Sequence, residues 1–366
     1  MFREETEMAE RLKDMFFTRD SIDSFAETIK QHYPEFEKPK FLKHMFDESF
    51  ENKELLDKMK HTTKCLFDTL PRPYEKALDI LIKAAPEVKG FEAMALPDFV
   101  ATYGMDNWDL SMPALKHFTQ YYSSELAIRP FLAQDPEKGM AYMATWAEDK
   151  HPNVRRLASE GCRPRLPWAM ALPKFKKDPS PILPILEKLK DDVSEDVRRS
   201  VANNLNDISK DNPEVALGVC EQWHGQSENT DKIVKHACRS LLKAGDKRAL
   251  AIFGYSDPSL ISAKNLKLDK NVLSIGDAMT FSFDIAVAKK STVRLEYAVY
   301  FVKAKGKSSK KVFKISEKDY EKGTFSVKRK QSFVEQTTRK HYPGTHQISI
   351  IVNGEEKAKI SFELRK

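Results

Sequence analysis

Glu160 stands four residues after Arg156 and three before Arg163. On a helix those spacings bring the three side chains to one face. A surface made only to hold a polyanion gains nothing from a carboxylate there, because acid repels phosphate. The acid kept between two bases therefore points toward catalysis. The plainer alternative is an ordinary ion pair on a solvated helix face. The chain then runs Arg163-Pro164-Arg165-Leu166-Pro167-Trp168. The two prolines withhold N–H groups and stiffen the connection, which narrows the directions open to both arginines and to Trp168. Read as chemistry, Trp168 is an aromatic wall for a base or a cation, where an indole face gains roughly 0.5–2 kcal/mol from a positive ligand. Read as structure, it is a residue at the start of a helix that packs into its neighbours.

The elements that must position these groups are helices, and they repeat. Val154-Arg155-Arg156-Leu157-Ala158 aligns with Val197-Arg198-Arg199-Ser200-Val201 and with Val234-Lys235-His236-Ala237-Cys238, at offsets of 43 and 37 residues. Each copy follows another amphipathic stretch: Gly139 to Glu148, Ile182 to Lys190 and Val215 to Trp223. Two-helix units of about forty residues mark HEAT-like solenoids, in which a unit buries its apolar face only against the next. At 100° per residue, Val154, Leu157, Ala158 and Gly161 form the core stripe of the first copy, while Arg156, Glu160 and Arg163 oppose it. In the second, Val197, Val201, Asn204 and Ile208 are expected inside, with Arg199, Asn203 and Asn206 pointing away. In the third, Val234, Cys238 and Leu241 are expected inside, with His236, Ser240 and Lys243 outside. The outer faces of such second helices line a concave surface, and a row of arginine forks there suits a nucleic-acid backbone.

Residues 1–255 read as helical throughout, punctuated by prolines. Ile22, Phe25 and Ile29 recur at helical spacing, with Asp20 or Ser21 as the cap. From about residue 259 the texture changes to alternating runs: Thr280–Val287, Val293–Val302, Val312–Ile315, Thr324–Val327 and His346–Val352, separated by turn residues. Asn353-Gly354 is a hairpin signal between Ile348–Val352 and Lys357–Phe362. Seven or so short strands in about 105 residues point to an immunoglobulin-like sandwich. The expected architecture is thus multidomain, α then β: a HEAT-like α-helical solenoid over residues 1–255, then an immunoglobulin-like β-sandwich over residues 256–366, joined near Gly254 to Pro258.

Charge divides the same way. Residues 256–366 carry 23 Lys and Arg against 12 Asp and Glu, a net of +11, and the remainder is at −4. A basic segment on a mildly acidic body is expected to meet a polyanion. Lys303, Lys305, Lys307, Lys310 and Lys311 flank one turn, and Lys328-Arg329-Lys330 and Arg339-Lys340-His341 form further clusters. The charged N-terminal stretch from Arg3 to Asp14 is unlike a signal peptide, and no run approaches a membrane span. Cys65, Cys162, Cys220 and Cys238 form no C-x-x-C pair, which fits reduced thiols in a cytoplasm. No H-E-x-x-H, G-x-G-x-x-G, Walker loop or G-x-S-x-G is present, so no metal or cofactor is expected.

The stretches HPNVRRLASEGCRPRLPW (151–168), DVRRSVANNLNDISKDNP (196–213) and SSELAIRPFL (123–132) resemble the AlkC/AlkD family of HEAT-like-repeat alkylbase DNA glycosylases, the AlkC branch in particular. Some members of that branch carry an immunoglobulin-like domain after the repeats, so the resemblance covers essentially the whole chain. It implies base excision repair: hydrolysis of the N-glycosidic bond of cationic bases such as 3-methyladenine and 3-methylcytosine. A carboxylate would stabilise the oxocarbenium-like sugar, without full base flipping. Carried over by position, Glu125, Glu160 and Asp207 become the acids and Trp168 the aromatic wall. Arg156, Arg163, Arg165, Arg199, Asn203 and Lys235 become DNA contacts, joined by Lys305 and Lys307 from a β domain that clamps the duplex. The expected partner is double-stranded DNA with alkylated bases, bound by a monomer in the bacterial cytoplasm at the nucleoid. The competing readings are a nucleic-acid binder without catalysis and a protein-interaction scaffold, the commonest use of such arrays.

Overall fold

The computed structural model describes residues 15–303, 306–335 and 340–366. Lys305 and Arg339, both counted among the basic clusters, lie outside them. The chain packs as two compact units, one running to Ala237 and one from Cys238, with the short stretch Cys220–Gln222 belonging to the second.

The first unit is helical. Its N-terminal helices are α1 (Arg19–His32), α2 (Lys38–Met45), α3 (Leu55–Thr69), α4 (Tyr74–Ala84), α5 (Ala95–Tyr103) and α6 (Trp108–Phe118). Then come α7 (Ile128–Gln134), α8 (Pro136–Trp146), α9 (Pro152–Glu160), α10 (Pro173–Lys177), α11 (Leu183–Leu189), α12 (Glu195–Asp211), α13 (Pro213–Trp223) and α14 (Glu228–Ala237). The cap of α1 is Thr18, not Asp20 or Ser21: its hydroxyl accepts the Ser21 N–H. Asp135 and Pro136 open α8, and the Asp135 carboxylate accepts the Lys138 N–H at 3.0 Å. His151 and Pro152 open α9 in the same manner, with the His151 Nδ1 accepting from Asn153.

The aligned valines Val154, Val197 and Val234 are all fully buried, each contributing roughly 1.5–3 kcal/mol by leaving water. They lie on α9, α12 and α14, and α12 packs against both of the others. α8, α11 and α13 precede them as expected. The α9–α12 seam is partly polar. Ser159 and Ser200 share a hydrogen bond of 2.7 Å, and Asn204 donates to the Ser159 carbonyl at 2.8 Å. α7 closes on the end of α9, where a Cβ on Gly161 would meet Ile128 at 2.7 Å.

Helical periodicity fails at three places. Glu160 and Arg163, expected on the outer face, are buried: α9 stops at Glu160, and Arg163 pairs with Glu160 and with Asp207 of α12. Asn206, expected outside, is buried and donates to the Ala237 carbonyl at 2.6 Å. The third copy is broken after Ala237 and restarts as α15 (Arg239–Ala244). Leu242 rather than Leu241 is therefore its buried leucine, and Ser240 and Lys243 do not continue the α14 face.

Among the described residues, the second unit holds α15, α16 (Lys247–Ile252) and eight strands. These are β1 (Ile261–Leu268), β2 (Val272–Ser274), β3 (Ala278–Val287), β4 (Ser291–Val302), β5 (Ser308–Tyr320), β6 (Gly323–Ser332), β7 (Gly344–Val352) and β8 (Glu355–Arg365). They form a three-stranded sheet, β1-β3-β6, and a five-stranded sheet, β2-β8-β7-β4-β5. Phe281, Phe283 and Ile285 of the first face Leu295, Tyr297, Ile348, Ile350 and Phe362 of the second in one core. β1 and β2 escape the alternation test, since β1 is mostly half-exposed and β2 is three residues long. Asn353 and Gly354, at φ 44° and 82°, make the β7–β8 turn as their residue types require. Among the described residues no helix is long and apolar enough to cross a membrane, and the four cysteines are buried thiols outside any disulfide.

Candidate active site

Three segments of the helical unit meet at one charged cluster. The first is the turn before α7, which carries Glu125. The second is the end of α9 with its following loop, which carries Arg156, Glu160 and Arg163. The third is the C-terminal end of α12, which carries Asp207 and Lys210. Acid and base alternate without a break. Arg156 Nη1 donates to Glu125 at 2.7 Å, and its Nη2 lies 3.7 Å from Glu160. Glu160 accepts from Arg163 Nη1 at 2.5 Å, and Arg163 Nε donates to Asp207 at 2.8 Å. Lys210 closes the chain on the other Asp207 oxygen at 2.8 Å.

Burial grades along this chain. The Asp207 side chain is 1% exposed and that of Glu160 6%, whereas that of Glu125 is 21% exposed. Glu125 is therefore the carboxylate with open access. Burial works against the Arg163 charge, but Glu160 and Asp207 outweigh it and hold the guanidinium above its ordinary range. Burial also opposes the charge on Arg156, and Glu125 and Glu160 again overcome it.

Arg163, expected as a phosphate contact, is buried, and its Nε and Nη1 are taken up by two carboxylates. Arg165 is exposed and paired with Asp211 through two bonds of 2.7 Å. Arg199 is exposed, pairs with Glu195 at 2.9 Å, and lines a cavity of about 270 Å³ between α12 and α14 with Arg198, Lys232 and His236. Asn203 shares a hydrogen bond of 2.8 Å with His236 on the same side, and Lys235 is half-buried on α14. Lys307 is exposed at the β4–β5 connection, within the second unit.

Trp168 does not start a helix. It sits half-buried in a turn at φ 61°. For a bulky residue that is a true outlier, costing on the order of 1–3 kcal/mol, and such strain gathers at working sites. Glu125 likewise lies in a turn, not at the head of α7. Sequence reasoning missed two residues at this cluster. Lys210 has the look of an ordinary helix-end lysine. Arg129 is fully buried beneath the loop, and its signal is a charge inside the apolar run Ile128-Arg129-Pro130-Phe131-Leu132.

Comparison with known proteins bears on this geometry. Residues 262–366 match the family model described as "Uncharacterised protein YhaZ, C-terminal Ig-like domain". The chain is 47% identical over 354 residues to the uncharacterized protein YhaZ of Bacillus subtilis (strain 168), covering 96% of this chain and 99% of that one. It is also similar to the solved alkylpurine DNA glycosylase AlkC of Pseudomonas fluorescens, bound to DNA containing an abasic site analog. There the TM-score is 0.93 at 37% identity, over 97% of this chain and 99% of that one. A helical unit followed by an immunoglobulin-like unit is the architecture this chain shares with them. The chain belongs to the AlkC branch of the AlkC/AlkD family.

Proposed function

We propose that this protein is a DNA glycosylase that hydrolyses the N-glycosidic bond of cationic alkylated bases, 3-methyladenine and 3-methylcytosine among them. The observation that carries the reading is the alternating chain from Glu125 to Lys210, with its one accessible carboxylate at the end nearest solvent. Methylation at N3 places positive charge on the base and makes it a good leaving group. As the bond breaks, positive charge grows on the deoxyribose. Glu125, oriented by Arg156, would stabilise that charge and align a water, while Glu160 lies between Arg156 and Arg163 and Asp207 holds Arg163 in turn. Preorganised charge of this kind needs no rearrangement at the moment of reaction. Trp168, fixed in a strained turn, would pack against the sugar or the cationic base. Support also comes from the similarity to AlkC, solved with an abasic site analog in its DNA.

In this reading Arg165, Arg199, Asn203 and Lys235 contact the backbone, and Lys307 with Lys328, Arg329 and Lys330 adds a second basic surface on the β unit. One copy of the chain serves one duplex, in the cytoplasm where the chromosome lies. A concave track rather than a deep pocket would spare the base a complete flip.

Single-turnover release of 3-methyladenine and 3-methylcytosine from duplex DNA tests the proposal. The native chain should release base, and Glu125→Gln should lose roughly 100-fold or more in rate with DNA affinity kept, the scale of removing one preorganised electrostatic group. Glu160→Gln should also lose rate, through disordered arginines. Tight DNA binding with no release of any alkylated base would leave a binding protein in place of an enzyme.

A further inference from the structure

We propose that Arg129 is a positioning residue for the reaction above: its buried guanidinium clamps both ends of the loop that carries Arg163 and Trp168. The rate effect rests on the proposed glycosylase activity, whereas the clamp itself is a matter of this chain's geometry.

Arg129 is the second residue of α7 and is fully buried. Its Nη1 donates to the carbonyls of Gly161 at 2.9 Å and Arg163 at 2.8 Å, where the chain leaves α9. Its Nε donates to the Met170 carbonyl at 2.7 Å, where the loop ends. One rigid plane therefore ties the entrance of the loop to its exit. Among the described backbone groups, one further bond spans the loop, from the Leu172 N–H to the Pro164 carbonyl at 3.2 Å. Between these ties lies Trp168 at φ 61°, a conformation that a free loop would relax.

The choice of residue is costly, which makes the geometry informative. The three acceptors are neutral carbonyls, and among the described residues no carboxylate pairs directly with the group and Nη2 has no hydrogen-bond partner. Burial pushes the guanidinium down to about 10, well below its ordinary range. An apolar side chain would fill the same space without that penalty. What it would not supply is donors at fixed angles to carbonyls left over at the end of α9, where the helix dipole favours a cation. Lysine keeps the charge but lacks the planar fork, so it cannot hold both ends at once.

The test compares Arg129→Lys and Arg129→Met with the native chain by two readouts. The first is activity-free: the tryptophan emission and acrylamide quenching that disappear in Trp168→Phe, measured in each background. Loosening of the loop should raise the quenching of that component at least two-fold in Arg129→Lys. The second is single-turnover release from duplex DNA bearing 3-methyladenine. The rate at saturating protein should fall ten-fold or more while the half-saturating concentration stays within about three-fold. Unchanged quenching and an unchanged saturating rate in Arg129→Lys would overturn the clamp. If the native chain releases no base yet the quenching rises, the clamp stands and the glycosylase reading fails. Should neither variant fold, hydrogen exchange on the native chain decides. The Leu172 amide should be protected like the amides of α9, and free exchange there would overturn the proposal.

Discussion

A helical wheel continued past Glu160 sets Arg163 outward, as a phosphate contact. The helix ends first, and the same guanidinium turns inward to span Glu160 and Asp207. The residue type is legible in the sequence and its task is not, because a charge reveals its partner only when chain distant in sequence is folded against it. The consequence is energetic. Arg163→Met would leave two buried carboxylates facing each other with only Arg156 and Lys210 to offset them. Breaking a buried ion pair from one side costs about 3–5 kcal/mol. Urea unfolding should show a loss of that size. A change below about 1 kcal/mol would mean the pairs are solvated after all. Glu125 teaches the opposite lesson, since only its residual exposure separates it from the other two acids.

The second helices α9 and α12 carry the site between them, so their mutual placement matters more than either alone. Arg155 fixes it from the outer end. Its Nε and Nη2 grip Asp192 at 2.6 and 2.9 Å, and Asp192 also accepts the Ser194 N–H at 2.8 Å just before α12. Burial would raise the Asp192 carboxyl, but the bond from Arg155 prevails and holds it below its ordinary value of 3.8. The sign follows from linkage. A depressed carboxyl binds its proton more weakly in the folded chain than in the unfolded one, so its stabilisation is complete above about pH 4. It is lost as the pH falls through the lower, folded value. Thermal melts on either side of that window should show an acid-dependent loss that Asp192→Asn reduces. An identical pH profile in the variant would remove Asp192 from the account. The repeat itself is visible in the sequence because three buried valines recur in register, whereas the break at Cys238 leaves no mark in hydrophobic spacing.

At the scale of the whole chain, the uneven charge is the dominant feature. The basic strand β6 exposes Lys328, Arg329 and Lys330 on an edge of its sheet, and Lys307, Lys311 and Lys314 are exposed along the β4–β5 hairpin. If these groups meet DNA phosphates, binding releases counterions and affinity falls steeply with salt. Replacing Lys328, Arg329 and Lys330 by Gln should flatten the slope of log affinity against log salt by roughly 0.9 for each phosphate that is no longer neutralised. An unchanged slope would remove the basic edge of β6 from DNA binding.

Residue order along the chain was enough to set the two textures, the paired helices, the Asn353-Gly354 hairpin and the positions of the acids and bases. Those features rest on local rules: apolar period, turn chemistry and residue type act within a few positions. What only the tertiary structure decided was which charges meet. The pairing of Arg163 with Asp207, the burial of Arg129 under three carbonyls and the left-handed turn at Trp168 each join segments some forty residues apart or oppose local preference. Electrostatic partners are chosen by distance in space, and periodicity along one helix carries no information about the helix beside it.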